Sequence, residues 1–366
     1  MRIQVDPREA VKEFADFSRR LEQGRELLDR TRDKDVQIAT TPKREVWRQD
    51  KVSLYHYTAT AKKKTVATPV LMVYGLIGRY TMADLQEDRS LVRNLLAQGV
   101  DLYVVDWGTP TRGDRWLTLE DYIDGYLGEC VDFIRAKHKI PALSLLGICE
   151  GGVFTTCYAA RNPQKVKNLT ITITPIDFHA GSKDAPLHHG LIGLWARSMT
   201  HEDVDRLIEA NGNLPGELMS FVFSMMTPVN ALTKYNLGLF DVMDDEKKLL
   251  NFLRMEKWIA DRPDHPGEAA KQWLKDLYQE NKLAKNQLEL DGRRVDLRQI
   301  TMPVLNVYAK DDHIIPPATS RALGGLVGTQ DYTELALPGG HVGAFVGGRS
   351  QKLLGPGIAE WLGKHE

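Results

Sequence analysis

Residues 145–152, LLGICEGG, set a cysteine between two glycines: Gly147 and Gly151 flank Cys149 in a G-x-C-x-G pattern. With three cysteines and 30 glycines in 366 residues, chance supplies such a pattern roughly 0.02 times. The preceding ALSLL reads as a buried strand and the following VFTTCYAARN as a helix, so Cys149 stands on a sharp strand-to-helix turn. A helix N-terminus and a nearby base both favour the thiolate of such a residue. A thiol exchanges readily with a thioester, because the acyl group passes from sulfur to sulfur with little change in bond energy. The product stays activated for a second acceptor. The chemistry predicted is acyl transfer rather than bulk hydrolysis.

A nucleophile of this kind needs a base and an acid. KDDHIIPP follows the apolar run PVLNVYA, and PGGHVGAF follows YTELAL. This places Asp312 and His341 in loops at the carboxyl ends of two late strands, in the chain order nucleophile, acid, base. Asp311 is a rival for the acid, and His313 is assigned a supporting role. The expected oxyanion donors are the backbone N–H groups of Glu150 and, from the loop YGLIGRY, Leu76. A helix start stabilises a carboxylate, so the Glu150 side chain is expected to turn toward solvent; leaning on the sulfur, it would raise the thiol pKa. Cys130 and Cys157 read as packing residues. His188 and His189 are adjacent and share no helical face, and there is no H-E-x-x-H or C-x-x-C. Neither a metal nor a cofactor is expected.

The elements that position these residues alternate. Asp6, Pro7 and Glu9 start a helix running to about Leu28. After a polar stretch come strands at residues 52–59 and 69–75, read as an antiparallel entry into a sheet. A helix at 88–98, the strand VDLYVVDWG, a long helix capped by Thr118, the strand ALSLLGI, the helix after Cys149 and the strand NLTITIT follow in turn. Such alternation predicts an α/β class with a mostly parallel sheet and helices on both faces. It stops near Pro175 and resumes at Met302. Between them lie helical fragments rich in Met and Trp, an inserted helical cap expected to cover Cys149. The chain closes with a helix after Pro317, a strand at YTELAL and a last helix, QKLLGPGIAEWLGKH. The organisation expected is an N-terminal helical segment at 1–50, a core at 51–175 and 300–366, and the cap at 176–299.

Apolar residues make up 42% of the chain and the net charge is −1. That balance gives no electrostatic case for nucleic acid or an anionic membrane. No run resembles a signal peptide or a membrane span. Three cysteines form no disulfide framework, which fits a reducing cytoplasm.

The segments LLGICEGG, QEDRSLVRNLLAQGVDLYVVDWG, TLEDYIDGYLGECVDFIR, NFLRMEKWIADRPDHPGE and DYTELALPGGHVG together resemble the catalytic subunit, PhaC, of class III poly(3-hydroxyalkanoate) synthases. The resemblance runs from about Arg8 to Leu362. It implies an α/β-hydrolase fold, with Cys149 as nucleophile, Asp312 as acid and His341 as base. It also implies (R)-3-hydroxyacyl-CoA (3-hydroxybutyryl-CoA above all) as substrate, with CoA as leaving group, and a growing polyester chain as product. A companion subunit, PhaE, homo-oligomers such as a dimer within the hetero-oligomer, and the surface of cytoplasmic storage granules belong to the same implication. Class IV, with a different small subunit, is the nearest alternative. Two readings outside synthesis remain: a cysteine hydrolase of thioesterase or dienelactone type, and a non-catalytic granule coat protein.

Overall fold

In a computed structural model of the chain, described over residues 7–61, 64–180, 191–225 and 233–366, the apolar runs assemble into one eight-stranded sheet. The strands are β1 (Lys43–Gln49), β2 (Val52–Tyr57), β3 (Val70–Val73), β4 (Leu102–Asp106), β5 (Leu143–Ile148), β6 (Val166–Thr172), β7 (Val304–Ala309) and β8 (Tyr332–Leu337). They lie in the order β1-β2-β4-β3-β5-β6-β7-β8. β2 pairs antiparallel with both β1 and β4, and from β4 to β8 every pairing is parallel.

Parallel neighbours require crossovers, and here the crossover helices cover both faces. On one face, Leu71, Val105, Leu145 and Ile171 share a cluster with Val131 and Ile134 of the helix Leu127–His138 and Phe154 of the helix Glu150–Arg161. On the other, Met72, Val104, Leu146 and Val307 pack with Leu95, Leu354 and Ile358 from the helices Leu91–Ala97 and Gly348–Lys364. Consecutive residues thus serve opposite clusters, as the pleat demands. With both faces covered, the strands read as unbroken apolar runs. Cys130 and Cys157 sit wholly inside the first cluster, and burial pushes both thiols up, Cys157 to about 12.

The antiparallel entry differs from the expectation. The partner of β2 across the hairpin is β1, inside the stretch that read as polar, and its other neighbour is β4, not β3. β1 is an edge strand, KREVWRQ, with an irregular register between Glu45 and Trp47 and an exposed charged face. Charge and irregularity protect an open edge from pairing with another chain, and they also erase the apolar signal of a strand. The sheet therefore begins at Lys43, within the stretch expected to be a helical segment. The helix expected at 88–98 is shorter, Leu91–Ala97, and starts where Ser90 Oγ accepts from Arg93 N–H. The turns after Thr118 run first as a π-helix, Asp121–Tyr126.

Between β6 and β7 the described residues include the helices Leu191–Ser198, His201–Asn211, Gly216–Met225, Glu246–Ala260 and Gly267–Gln272. Phe178, Trp273 and Tyr278 pack edge to face at their base, with centroids 4.8 to 5.7 Å apart. The first helix, Pro7–Arg30, straps onto this part through Phe17 stacked on Phe240 and Arg20 Nε on Asp244 Oδ2 at 2.6 Å.

The turn between β5 and the helix Glu150–Arg161 is held by close approach. A Cβ at Gly151 would overlap the carbonyl of Val73, and one at Gly147 would overlap Gly152 and Thr155. Gly151→Ala is expected to lower the unfolding free energy by about 1–3 kcal/mol through overpacking. Urea denaturation reads this as a lower midpoint, and an unchanged midpoint would show that the helix can move away from β3.

Candidate active site

The carboxyl ends of the parallel strands gather four pieces of chain: Cys149 directly after β5, the loop of residues 74–79 after β3, and the loops carrying Asp312 and His341 after β7 and β8. This is the edge at which open α/β sheets bind their ligands. Cys149 adopts φ 53° and ψ −122°, a strained conformation for a residue with a side chain. Its N–H donates to Thr172 O at 2.9 Å and its carbonyl accepts from Gly152 N–H at 2.9 Å. The half-buried thiol stands at the N-terminus of the helix Glu150–Arg161. It packs on an apolar cluster to which the helix Glu246–Ala260 contributes Met255, Trp258 and Ile259.

The structure brings His341 and Asp312 to this thiol. His341 Nδ1 lies 2.8 Å from Asp312 Oδ2, and the ring stands near enough to Cys149 for a charge on the sulfur to act on it. Asp312 is 5% exposed, and its Oδ1 accepts from Ile314 N–H at 2.9 Å and Ile315 N–H at 2.8 Å. Asp311 takes a different part: it ties the two loops together, its N–H donating to Gly339 O at 3.1 Å and its Oδ2 accepting from Gly339 N–H at 3.2 Å. Burial works to lower the His341 pKa, but the charges of Asp312 and Cys149 and the hydrogen bond to Asp312 outweigh it and push it up to about 10. Asp312 and a charged sulfur thus stabilise the ring as imidazolium, the state reached once the thiol proton has passed to it. His313, expected in support, is exposed on the Asp312 loop and makes no hydrogen bond among the described residues. His188 and His189 lie outside the described residues; among those described, no group of three or more His, Cys, Asp or Glu could hold a metal.

Two expectations are overturned together. Glu150 does not face solvent: its side chain is 1% exposed. Its Oε2 accepts from Leu76 N–H at 2.6 Å and Ile77 N–H at 3.1 Å, and its Oε1 lies 2.8 Å from His265 Nε2. The Leu76 N–H, expected to face an oxyanion, is therefore committed to an internal carboxylate. The physical reason is competition. A helix start favours a carboxylate only weakly, by ~0.3–1 kcal/mol, whereas two backbone donors and an imidazole offer three charge-assisted bonds. Removing one partner from a buried pair of this kind costs on the order of 3–5 kcal/mol. The Glu150 N–H keeps its place at the first position of the helix, where no intrahelical acceptor reaches it.

His265 was not singled out by sequence, since no local pattern links it to a residue 115 positions earlier. Nor was Arg262, whose Nη1 donates to Ile77 O at 2.9 Å and whose Nε donates to Ser220 Oγ at 3.0 Å. Its guanidinium lies 4.4 Å from the centre of the Phe223 ring. Burial lowers its pKa, while Tyr74 and Cys149 hold the charge in place. The signal available was the segment DRPDHPGE as a whole, a charged run beside proline turns.

Residues 68–347 match the model of the alpha/beta hydrolase fold, and residues 8–95 match the model of the poly-beta-hydroxybutyrate polymerase (PhaC) N-terminus. The chain is 45% identical to a poly(3-hydroxyalkanoate) polymerase subunit PhaC of Synechocystis sp., over 99% of this chain and 95% of that one. It is 42% identical to the protein of the same name from Allochromatium vinosum, over 98% of both chains. Among solved structures, a putative non-heme bromoperoxidase BpoC of Mycobacterium tuberculosis superposes with a TM-score of 0.52 at 14% identity, covering 88% of this chain and 98% of that one. At that identity the likeness concerns the fold.

The raised His341 pKa can be read directly. By NMR of ring-labelled histidine, His341 is expected to titrate near 10 in the native chain. In Asp312→Asn it should fall, because the largest raising charge is gone while burial remains and only Cys149 still opposes it. A raised pKa stabilises the fold fully below the unfolded value of 6.5, and that contribution fades as pH rises toward 10. Asp312→Asn should flatten this alkaline loss; an unshifted His341 midpoint in the variant would remove Asp312 as its cause.

Proposed function

The chain belongs to the family of poly(3-hydroxyalkanoate) polymerase PhaC subunits, and we propose that it is the acyltransferase that polymerises (R)-3-hydroxyacyl-CoA into polyester through an acyl group carried on Cys149. The observation that carries this is Cys149 on its turn beside His341, whose ring is bonded to Asp312, on a chain related to PhaC along nearly its full length.

His341 takes the thiol proton, and the Cys149 thiolate attacks the thioester carbonyl. The negative charge that develops on the carbonyl oxygen is met by the Glu150 N–H and the helix N-terminus. The carbon–sulfur bond to CoA breaks, the proton passes from His341 to the departing sulfur, and the acyl group stays on Cys149. The 3-hydroxyl of a second acyl unit or chain then attacks that thioester. His341 accepts its proton, an ester bond forms and the Cys149 sulfur is released. Asp312 holds the ring and its charge in place throughout.

Growth requires that water stay away from the acylated sulfur. The helix Glu246–Ala260 sets Trp258 against Gly78 of the loop after β3 and packs Met255 and Ile259 on the same apolar cluster as Cys149, and movement of this helix would open room for the polymer. The family also supports a companion subunit, PhaE or the class IV small subunit, homo-oligomers such as dimers, and residence at the surface of a cytoplasmic granule. Val11, Phe14 and Leu21 of the first helix are exposed, as are Phe221, Tyr235 and Leu237, and apolar surface of this kind suits a partner or the polyester itself.

The test gives (R)-3-hydroxybutyryl-CoA to the purified chain with and without a partner subunit. CoA release accompanied by turbidity is expected, weak for the chain alone. Cys149→Ala should abolish it with the fold intact, while Cys130→Ala and Cys157→Ala keep most turnover. CoA release with free hydroxy acid and no turbidity would make the protein a thioesterase, and silence under both conditions would leave the coat-protein reading.

A further inference from the structure

A second acid–imidazole pair lies beside Cys149, and the acyl transfer described above does not use it. Glu150 and His265 are each 1% exposed at the side chain and meet at 2.8 Å. We propose that they are positioning residues that set the gap between the nucleophile turn and the loop after β3, the gap in which the substrate carbonyl has to lie. The proposal rests on the acyl-transfer reading for the identity of the acyl donor alone.

Glu150 acts on both walls of that gap. Its backbone N–H opens the helix on the side of the thiol, while its carboxylate holds Leu76 and Ile77 N–H at 2.6 and 3.1 Å. The separation of turn and loop is then the length of one side chain whose far end is fixed. The contact is close: a Cβ at Gly75 would meet the Glu150 side chain at 2.5 Å. On its other side the loop is gripped by Arg262, which donates to Ile77 O at 2.9 Å. His265 is in turn anchored by its own backbone, whose N–H and carbonyl each pair with Leu214 at 2.9 Å. Its Nδ1 lies 3.3 Å from Pro266 O.

The pair must persist through the reaction. A transient oxyanion that took the Leu76 N–H at each turnover would strip Glu150 Oε2 of its shorter bond in the core, so the exchange would gain no bond and leave a buried carboxylate less satisfied. The other titratable groups on which the Glu150 charge acts are Tyr74, Tyr122 and Tyr278, phenols held neutral chiefly by burial. None of them offers the carboxylate a hydrogen bond among the described residues. The role is therefore geometric. It acts through the loop and the Glu150 N–H, with no proton passed to substrate.

The test compares two reactions of Cys149 in the full chain. Acylation by (R)-3-hydroxybutyryl-CoA or by p-nitrophenyl butyrate builds an oxyanion; alkylation by iodoacetamide builds none. Glu150→Leu and His265→Leu are expected to slow single-turnover acylation at least about tenfold with both donors, while alkylation changes less than about threefold. Glu150→Gln and His265→Gln, which keep a hydrogen-bonding partner in place, should recover most of the loss. Where a leucine variant does not fold, Glu150→Leu/His265→Leu buries no unpaired charge and carries the same comparison. Unchanged acylation, or equal losses in acylation and alkylation, would overturn the proposal. Acylation by the p-nitrophenyl ester alone would overturn the acyl-CoA reading and leave the positioning role to be read from the ester.

Discussion

Everything at the catalytic edge depends on how near the helix Glu150–Arg161 comes to the end of β3. Gly151 lies against the backbone of Val73 and Tyr74, and Gly152 against Thr174 of the segment after β6. With no side chains in the way, the helix starts directly under the strand ends, and Cys149 has to take a positive φ to join β5 to it. That strain is stored where the surrounding sheet can sustain it. The same closeness brings the Glu150 side chain into reach of the loop after β3. Nucleophile, helix N-terminus and facing loop are thus three results of a single packing contact.

The charges around the thiol are handled in two ways. Asp312 keeps the His341 ring at the edge of the site, their side chains 1% and 12% exposed, where a proton can pass to and from a reacting group. Glu150 and His265 are sealed at 1% each, with every carboxylate oxygen engaged by an N–H or an imidazole. Access, more than residue type, separates chemistry from architecture here. Arg262, half-buried, sets a cation against the same loop from another segment, held by the Ile77 carbonyl and the face of Phe223. The segment carrying Arg262 and His265 leaves the helical insertion, so the loop facing Cys149 is supported as much by the insertion as by the sheet.

Sequence revealed the parts of the site whose positions follow from strands. Cys149, Asp312 and His341 come just after β5, β7 and β8, and the strand periodicity with its glycine-rich turns placed them at one edge. The choice between Asp311 and Asp312 needed three dimensions, because each is satisfied by a different loop contact. β1 was illegible because its job as an exposed edge calls for Lys, Arg and Glu, the residues of a loop. Glu150 was misread for another reason. Helix-dipole reasoning looks one turn ahead, whereas its partners sit 73, 74 and 115 residues away and were brought together by the fold. Buried polar pairs between distant segments leave no periodic trace.

The strap formed by the first helix has a consequence for how the chain is made. Arg20 reaches Asp244, 224 positions later, and Phe17 reaches Phe240. At about 5–20 residues per second of synthesis, the helix waits on the order of 10–45 seconds for its docking site to leave the ribosome. During that interval Phe17 and Arg20 have not yet met Phe240 and Asp244. An element made early thus stays unsecured until residues 240–244 have emerged.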